Sequence, residues 1–281
     1  MIEQIIISGA STGIGRATAL KLASQGKTVL AGVRNERAAN DLLTDSKGKV
    51  QPVFLDIAEP GSITKFVADH EETLASNGLH GLVNNAGLIH TAPLEHMPMS
   101  TWRRMFDVNV FGHVELTQKL LPFIRKIKGR VVFTSSASTR VSLPLGAAYC
   151  GAKNAIEGVG DSLRRELAPF GVKVSIVEPG AIETPMLHET KNEYDKVAKS
   201  MNGGGAEVYK HVANRLSETV SKFASQSTPP EKVAEVISHA LFSAKPKARY
   251  FVGTDARTLS TLAALTTDRT MDRILKKMFG L

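Results

Sequence analysis

Tyr149 and Lys153 stand four residues apart in Tyr-Cys-Gly-Ala-Lys, and on a helix that spacing puts a phenol and an ammonium on one face. An ordinary tyrosine, with a pKa of about 10, is a poor base at neutral pH. A cation beside it favours the phenolate and would lower that value, making Tyr149 a workable proton donor to a ketone or acceptor from an alcohol. Taken alone, the pair reads equally well as an exposed helical couple. Upstream, however, Val131-Val132-Phe133-Thr134-Ser135-Ser136 has the pattern of a buried strand that ends in hydroxyls, where α/β proteins bind their ligands.

A second chemical signal opens the chain. Ser8-Gly9-Ala10-Ser11-Thr12-Gly13-Ile14-Gly15-Arg16 follows an apolar strand and leads into a helical pattern carrying Ala19, Leu22 and Ala23 on one side. Glycines there let backbone approach a pyrophosphate and aim the unpaired N–H groups of a helix N-terminus at its charge. In NAD-selective sites an acid about 20 residues on takes the ribose 2′-hydroxyl. Here the second strand ends Ala31-Gly32-Val33-Arg34-Asn35. Arg34 offers a planar cation suited to a 2′-phosphate, with Arg16 or Arg37 in support, and so points to NADP(H) with NAD(H) as the lesser ligand. The competing reading leaves Arg34 as a solvated loop cation and sends Glu36 to the ribose. Asp56, after the third strand, is placed either to meet the adenine or to cap the helix that starts near Pro60.

The elements that must position these groups alternate. Short apolar runs at Ile5–Ile7, Thr28–Ala31, Val50–Leu55, Gly81–Val83, Arg130–Phe133, Val172–Val177 and Arg249–Val252 are separated by longer amphipathic stretches. Such alternation predicts an α/β fold: one doubly wound parallel sheet with helices on both faces and the ligand at the carboxyl ends of the strands. Residues 1–281 read as a single domain. The least regular stretch is 185–230, with Asn202-Gly203-Gly204-Gly205 in its middle; it reads as a lid over the substrate, or else as a plain loop.

The order of these pieces resembles the short-chain dehydrogenase/reductase family from Ile5 to about Val252. The residues that carry the resemblance are the glycine turn, Asp56, Asn84-Asn85-Ala86-Gly87, Asn109, Ser136, Tyr149 with Lys153, and Pro179-Gly180. The resemblance implies a Rossmann-type fold and a hydride-transferring enzyme that interconverts a secondary alcohol and a ketone or aldehyde. It implies that Ser136 polarises the carbonyl, Tyr149 transfers the proton, Lys153 binds the nicotinamide ribose and tunes the tyrosine, and Asn109 holds a relay water. The cofactor would lie along Gly9, Ser11, Thr12, Gly13, Ile14 and Gly15, then Arg34, Asp56, Ile57, Asn85, Ala86 and Gly87. Its nicotinamide end would meet Tyr149, Lys153, Pro179, Gly180, Ile182 and Thr184. One departure is Ser8, where the family usually has threonine; the hydroxyl is kept.

The stretches Asp161–Leu167 and Val177–Gly180 are similar to a branch that handles steroids, retinoids and hydroxy acids. A lipophilic alcohol or carbonyl is the expected substrate, walled by Val141, Leu143, Leu145, Met186 and Leu187. Resemblance also implies a homodimer or homotetramer built on the Tyr149 helix and its predecessor, with Gly158 and Gly160 allowing close approach. The competing class is a catalytically silent, dinucleotide-sensing protein of the same fold; an intact Asn109, Ser136, Tyr149 and Lys153 argues for the enzyme.

Composition narrows the rest. A single cysteine, Cys150, excludes an internal disulfide framework, and the scattered histidines have no metal-site spacing, so no metal is expected. No segment reaches the roughly 20 apolar residues of a membrane span, and a cytoplasmic location is expected. Of the formal charge of +8, +5 falls from Lys245 onward. There, 257–279 reads as an amphipathic C-terminal helix with Met271, Ile274, Leu275 and Met278 on one face and Arg273, Lys276 and Lys277 on another. It would dock on protein or make peripheral contact with an anionic membrane. Without interleaved aromatics it does not suit nucleic acid.

Overall fold

The computed structural model describes residues 3–279, with side chains described up to Lys277. Seven parallel strands form one sheet in the order β3-β2-β1-β4-β5-β6-β7. They are β1 Gln4–Ile7, β2 Thr28–Val33, β3 Gln51–Phe54, β4 Gly81–Asn84, β5 Arg130–Thr134, β6 Lys173–Pro179 and β7 Arg249–Val252. All seven expected strands are present, with ends displaced by one or two residues.

Side chains alternate across this sheet, and each face needs its own helical cover. Ile5 and Ile7 face one way, onto α1 (Gly13–Ser24), α2 (Glu36–Asp45) and α9 (Pro230–Phe242), through Leu22, Leu42, Val233 and Ile237. Ile6 faces the other way, onto α3 (Ser62–Asn77), α5 (Gly112–Lys126) and α6 (Ala147–Leu167), through Phe66, Leu116, Leu120 and Ile156. Strand order reverses between β1 and β4, so the crevice at their carboxyl ends is the switch point where such sheets bind ligands.

Before α5, α4 (Met99–Phe106) runs through a single π-helical turn, Asp107–Phe111. Such turns are rare inside helices and frequent at functional sites, and this one carries Asn109.

Three expectations about the periphery need correction. Residues 185–230 are regular over most of their length: α7 (Pro185–Ser200) and α8 (Ala206–Ala224) pack on each other as a helical hairpin. The glycine run makes its turn, with Gly203 and Gly205 at positive φ. The C-terminal segment is two helices, α10 (Thr254–Leu265) and α11 (Asp268–Phe279), broken at Thr266-Thr267, where the extended backbone of Thr266 stops the first helix. Third, Gly160 packs inward, where a Cβ would lie 3.0 Å from Ile176 Cδ1; Gly158 alone of the two faces open space.

α11 lies on α8 and joins the cluster of Tyr194, Val197, Ala213 and Leu216 through Leu275, while Arg273, Lys276 and Lys277 are exposed. Met278, counted on its apolar face, has a side chain outside those described. Among the described residues no helix is long and apolar enough to cross a membrane.

Candidate active site

A cleft of about 940 Å³ runs along the carboxyl edge of the sheet. Of the residues that the family resemblance assigned to cofactor or catalysis, all but Gly15 and Asn109 line it. Both exceptions sit just behind the wall. A Cβ on Gly15 would lie 2.2 Å from the Gly9 carbonyl oxygen, so only glycine fits beneath the turn. Asn109 is fully buried, and its amide is committed to Leu88: Nδ2 donates to the Leu88 carbonyl at 3.0 Å and Oδ1 accepts from the Leu88 N–H at 3.1 Å. Its side chain therefore clamps the loop after β4.

At the dinucleotide end, Gly9 has φ +67, and a Cβ there would fall 2.6 Å from Ala86 Cα. Ser8 joins β1 to the turn after β4, its hydroxyl accepting from the N–H groups of Asn85 (3.0 Å) and Ala86 (3.1 Å). Asn85 turns its own amide back to the Gly9 carbonyl at 3.0 Å. The α1 N-terminus has neither a side-chain cap from Thr12 nor an acid in its first turn, which leaves its first N–H groups to an anion. That cradle fits a pyrophosphate.

Arg34 stands exposed at the rim of the cleft. Arg16 does not assist it, being paired with Asp45. Arg37 lines the same rim with only a loose contact to Asp41, at 3.9 Å. Asp56 does not cap a helix, because α3 begins at Ser62 behind Gly61; instead it accepts from Ala58 N–H at 3.0 Å and faces the cleft.

At the chemical end, β5 delivers Thr134, Ser135 and Ser136, and α6 brings Tyr149 and Lys153 across from them. Ser136 Oγ accepts from Ser138 N–H at 3.2 Å and from Ser138 Oγ at 3.0 Å, leaving its own proton to donate. Lys153 is buried, and its ammonium donates to the Thr134 carbonyl at 3.0 Å, which leaves two N–H bonds for other partners. Thr134 Oγ1 is buried without a partner at the cleft floor, a second feature that suits a polar ligand.

Burial, not the neighbouring cation, sets the protonation of the pair. The Tyr149 phenol is pushed up to about 12 by desolvation, which outweighs the hydrogen bond offered by Ser136. The same desolvation draws Lys153 down to about 8, with the Glu157 carboxylate opposing it. The expected lowering of the tyrosine by Lys153 does not appear: desolvation raises the phenol and lowers the amine.

The far end of the cleft is walled by Leu88, Leu143, Met186, Leu187, Tyr194 and Val220, so α7 and α8 both contribute. Val141 and Leu145 are not in that wall; Leu145 packs into the α7–α8 core.

Three further residues escaped the sequence reading. His113, one turn beyond Asn109, is neutral and holds the Ala86 carbonyl at 2.7 Å. Asp255 accepts from Ala181 N–H at 2.6 Å and so anchors the loop after β6 from the first turn of α10. Its place just past β7, at the carboxyl edge of the sheet, was a usable signal. Glu157 lies one turn past Lys153 and binds Ser135 and Thr139.

Comparison with known proteins matches this geometry. Residues 3–195 match the family model described as short chain dehydrogenase. Retinol dehydrogenase 7 of Rattus norvegicus is 34% identical over 262 residues, 91% of this chain and 82% of that protein. The 17-beta-hydroxysteroid dehydrogenase type 6 of Bos taurus is 34% identical over 267 residues, covering 90% and 81%. Among solved structures, a short-chain dehydrogenase from Streptomyces avermitilis superposes with a TM-score of 0.78 at 28% identity, covering 100% of this chain and 96% of that one. A short-chain dehydrogenase from Burkholderia cenocepacia in complex with NADP shares the fold, with a TM-score of 0.73 at 22% identity over 98% of each chain. With the family match running from β1 into α7, and relatives about a third identical across nine-tenths of its length, this chain belongs to the short-chain dehydrogenase family.

Proposed function

We propose that the chain is an NADP(H)-preferring oxidoreductase that interconverts a lipophilic secondary alcohol and its carbonyl compound, with Tyr149 as the proton-transferring group. The observation that carries this reading is the convergence of Ser136, Tyr149 and Lys153 at the floor of one cleft whose other end is an uncapped helix N-terminus. A bound nicotinamide dinucleotide supplies or accepts the hydride. The glycine turn and the α1 N-terminus would hold its pyrophosphate, and the two free N–H bonds of Lys153 would hold ribose hydroxyls.

Ser136 directs its remaining proton to the carbonyl oxygen and orients it. Tyr149, protonated throughout the neutral range, donates to that oxygen as charge develops there. In the oxidative direction the phenol must first lose its proton, so alcohol oxidation should gain with rising pH more than carbonyl reduction does. Support for NADP(H) comes from Arg34 at the rim and from Glu36, which does not line the cleft. Support for a lipophilic substrate comes from the apolar wall and from relatives named for retinol and a hydroxysteroid.

Tyr149→Phe, assayed on a panel of lipophilic ketones and alcohols with NADPH and NADH in parallel, is the test. Turnover should fall at least about 100-fold while cofactor binding is kept. Undiminished carbonyl reduction would remove Tyr149 from its role, and unaltered catalytic silence of the parent chain across the panel would favour a dinucleotide sensor. Equal or better rates with NADH would overturn the cofactor preference.

A further inference from the structure

We propose that Glu157 is a positioning residue of this active site, which clamps the Ser136 loop onto the helix carrying Tyr149 and Lys153 and provides the counter-charge for the Lys153 ammonium. The inference rests on the catalytic reading of Tyr149 and Lys153 above.

The geometry is close on every side. Glu157 is buried on α6, four residues after Lys153. Its Oε1 accepts from Ser135 Oγ at 2.7 Å and from Thr139 Oγ1 at 2.8 Å, the two residues that bracket Ser136. Thr139 shares its proton with the Ser136 carbonyl, also at 2.8 Å. One carboxylate oxygen therefore fixes the main chain of Ser136 from both flanks.

Its Oε2 faces two guanidinium groups, Arg249 at 2.6 Å and Arg140 at 3.3 Å. These are held in turn by Glu178, fully buried on β6, which takes two hydrogen bonds from Arg140 at 2.6 and 2.7 Å and one from Arg249 at 2.7 Å. Asp161, on α6, binds Arg249 at 2.7 Å and pairs with Arg164. Charges in this network balance, three carboxylates against three guanidinium groups, and they tie α6, β6 and β7 to the loop after β5. A buried network of this kind contributes little net stability compared with apolar packing, but breaking one member is costly, so its value lies in fixing geometry.

The network also bears on Lys153 electrostatically. The titratable groups facing that ammonium are Tyr149 on its own helix, whose ring centre is 5.9 Å away, His113 from α5, and Glu157. His113 is neutral above pH 4, because its pKa is about 3. Glu157 is thus the carboxylate that offsets desolvation of the lysine, and Arg140 and Arg249 stand directly behind it.

Charge and clamp can be separated by experiment. In Glu157→Gln the ammonium loses its counter-charge, and the alkaline limb of kcat for carbonyl reduction should move to lower pH by about one unit. In Arg249→Gln a cation is removed instead, and the limb should move to higher pH. Ser135→Ala removes part of the clamp without changing charge, so kcat should fall several-fold with the limb unmoved. The pH dependence of NADPH binding, followed by nicotinamide fluorescence, should shift with the same signs and needs no turnover. This separates failure of the inference from failure of the catalytic reading. Shifts of the same sign in Glu157→Gln and Arg249→Gln, or no shift in variants that remain folded by circular dichroism, would overturn the proposal. If Glu157→Gln does not fold, an Arg249→Gln limb that stays fixed or moves to lower pH overturns it alone.

Discussion

Replacing His113 with glutamine should flatten the acid side of the protein's stability curve. The ring is 1% exposed at the start of α5, and its Nε2–H donates to the Ala86 carbonyl at 2.7 Å, beside the cofactor turn. Burial, with Lys153 nearby, lowers its pKa from 6.5 to about 3. Between those two values the unfolded chain binds a proton that the folded chain refuses, so stability is intact above pH 6.5 and falls as the solution is acidified. Linkage with those pKa values gives a loss of about 2 kcal/mol at pH 5, about 4 kcal/mol at pH 3 and a limit of about 5 kcal/mol at lower pH. Glutamine keeps an N–H donor for Ala86 but does not titrate. Urea unfolding of both proteins from pH 7.5 to 5, followed by fluorescence of the single tryptophan, Trp102, measures the difference. His80, also held below its ordinary value, is common to both proteins and cancels. The wild-type free energy should fall by about 2 kcal/mol more than that of His113→Gln over this range. Parallel curves would refute the assignment of a neutral, proton-refusing imidazole.

Other variants probe the cleft directly. Gly9→Ala places a Cβ 2.6 Å from Ala86 Cα at a φ of +67, so backbone must move; a stability loss of about 2 kcal/mol or more and at least tenfold weaker NADPH binding should appear in thermal melts and fluorescence titrations. Arg34→Ser should raise KM for NADPH about tenfold or more while leaving NADH kinetics nearly unchanged, and an unaffected NADPH KM would remove Arg34 from cofactor selection. Asp255→Ala strips the Ala181 N–H of its acceptor, at a cost of about 1–3 kcal/mol, and should raise cofactor KM more than it lowers kcat in steady-state assays.

The strands were readable because a sheet covered on both faces makes nearly every strand residue apolar, as in Ile5-Ile6-Ile7. The α7–α8 hairpin was not, because only Tyr194 and Val197 of α7 are buried, and a mostly polar stretch followed by glycines looks like a loop. The site divides the same way. Gly9, Ser136, Tyr149 and Lys153 declare themselves by residue type and order, whereas their charge states depend on burial and on distant partners. A four-residue spacing places the Lys153 ammonium near the Tyr149 phenol, yet the enclosing sheet and helices lift the phenol to about 12 and lower the amine to about 8. The carboxylate that opposes the lowering of that lysine is Glu157, and what holds Glu157 is Arg249, 92 residues farther along the chain on an edge strand. No local pattern reports such a contact. It exists because β7 is laid beside β6, which makes the protonation of the Tyr149–Lys153 pair a property of the folded sheet as much as of the helix that bears it.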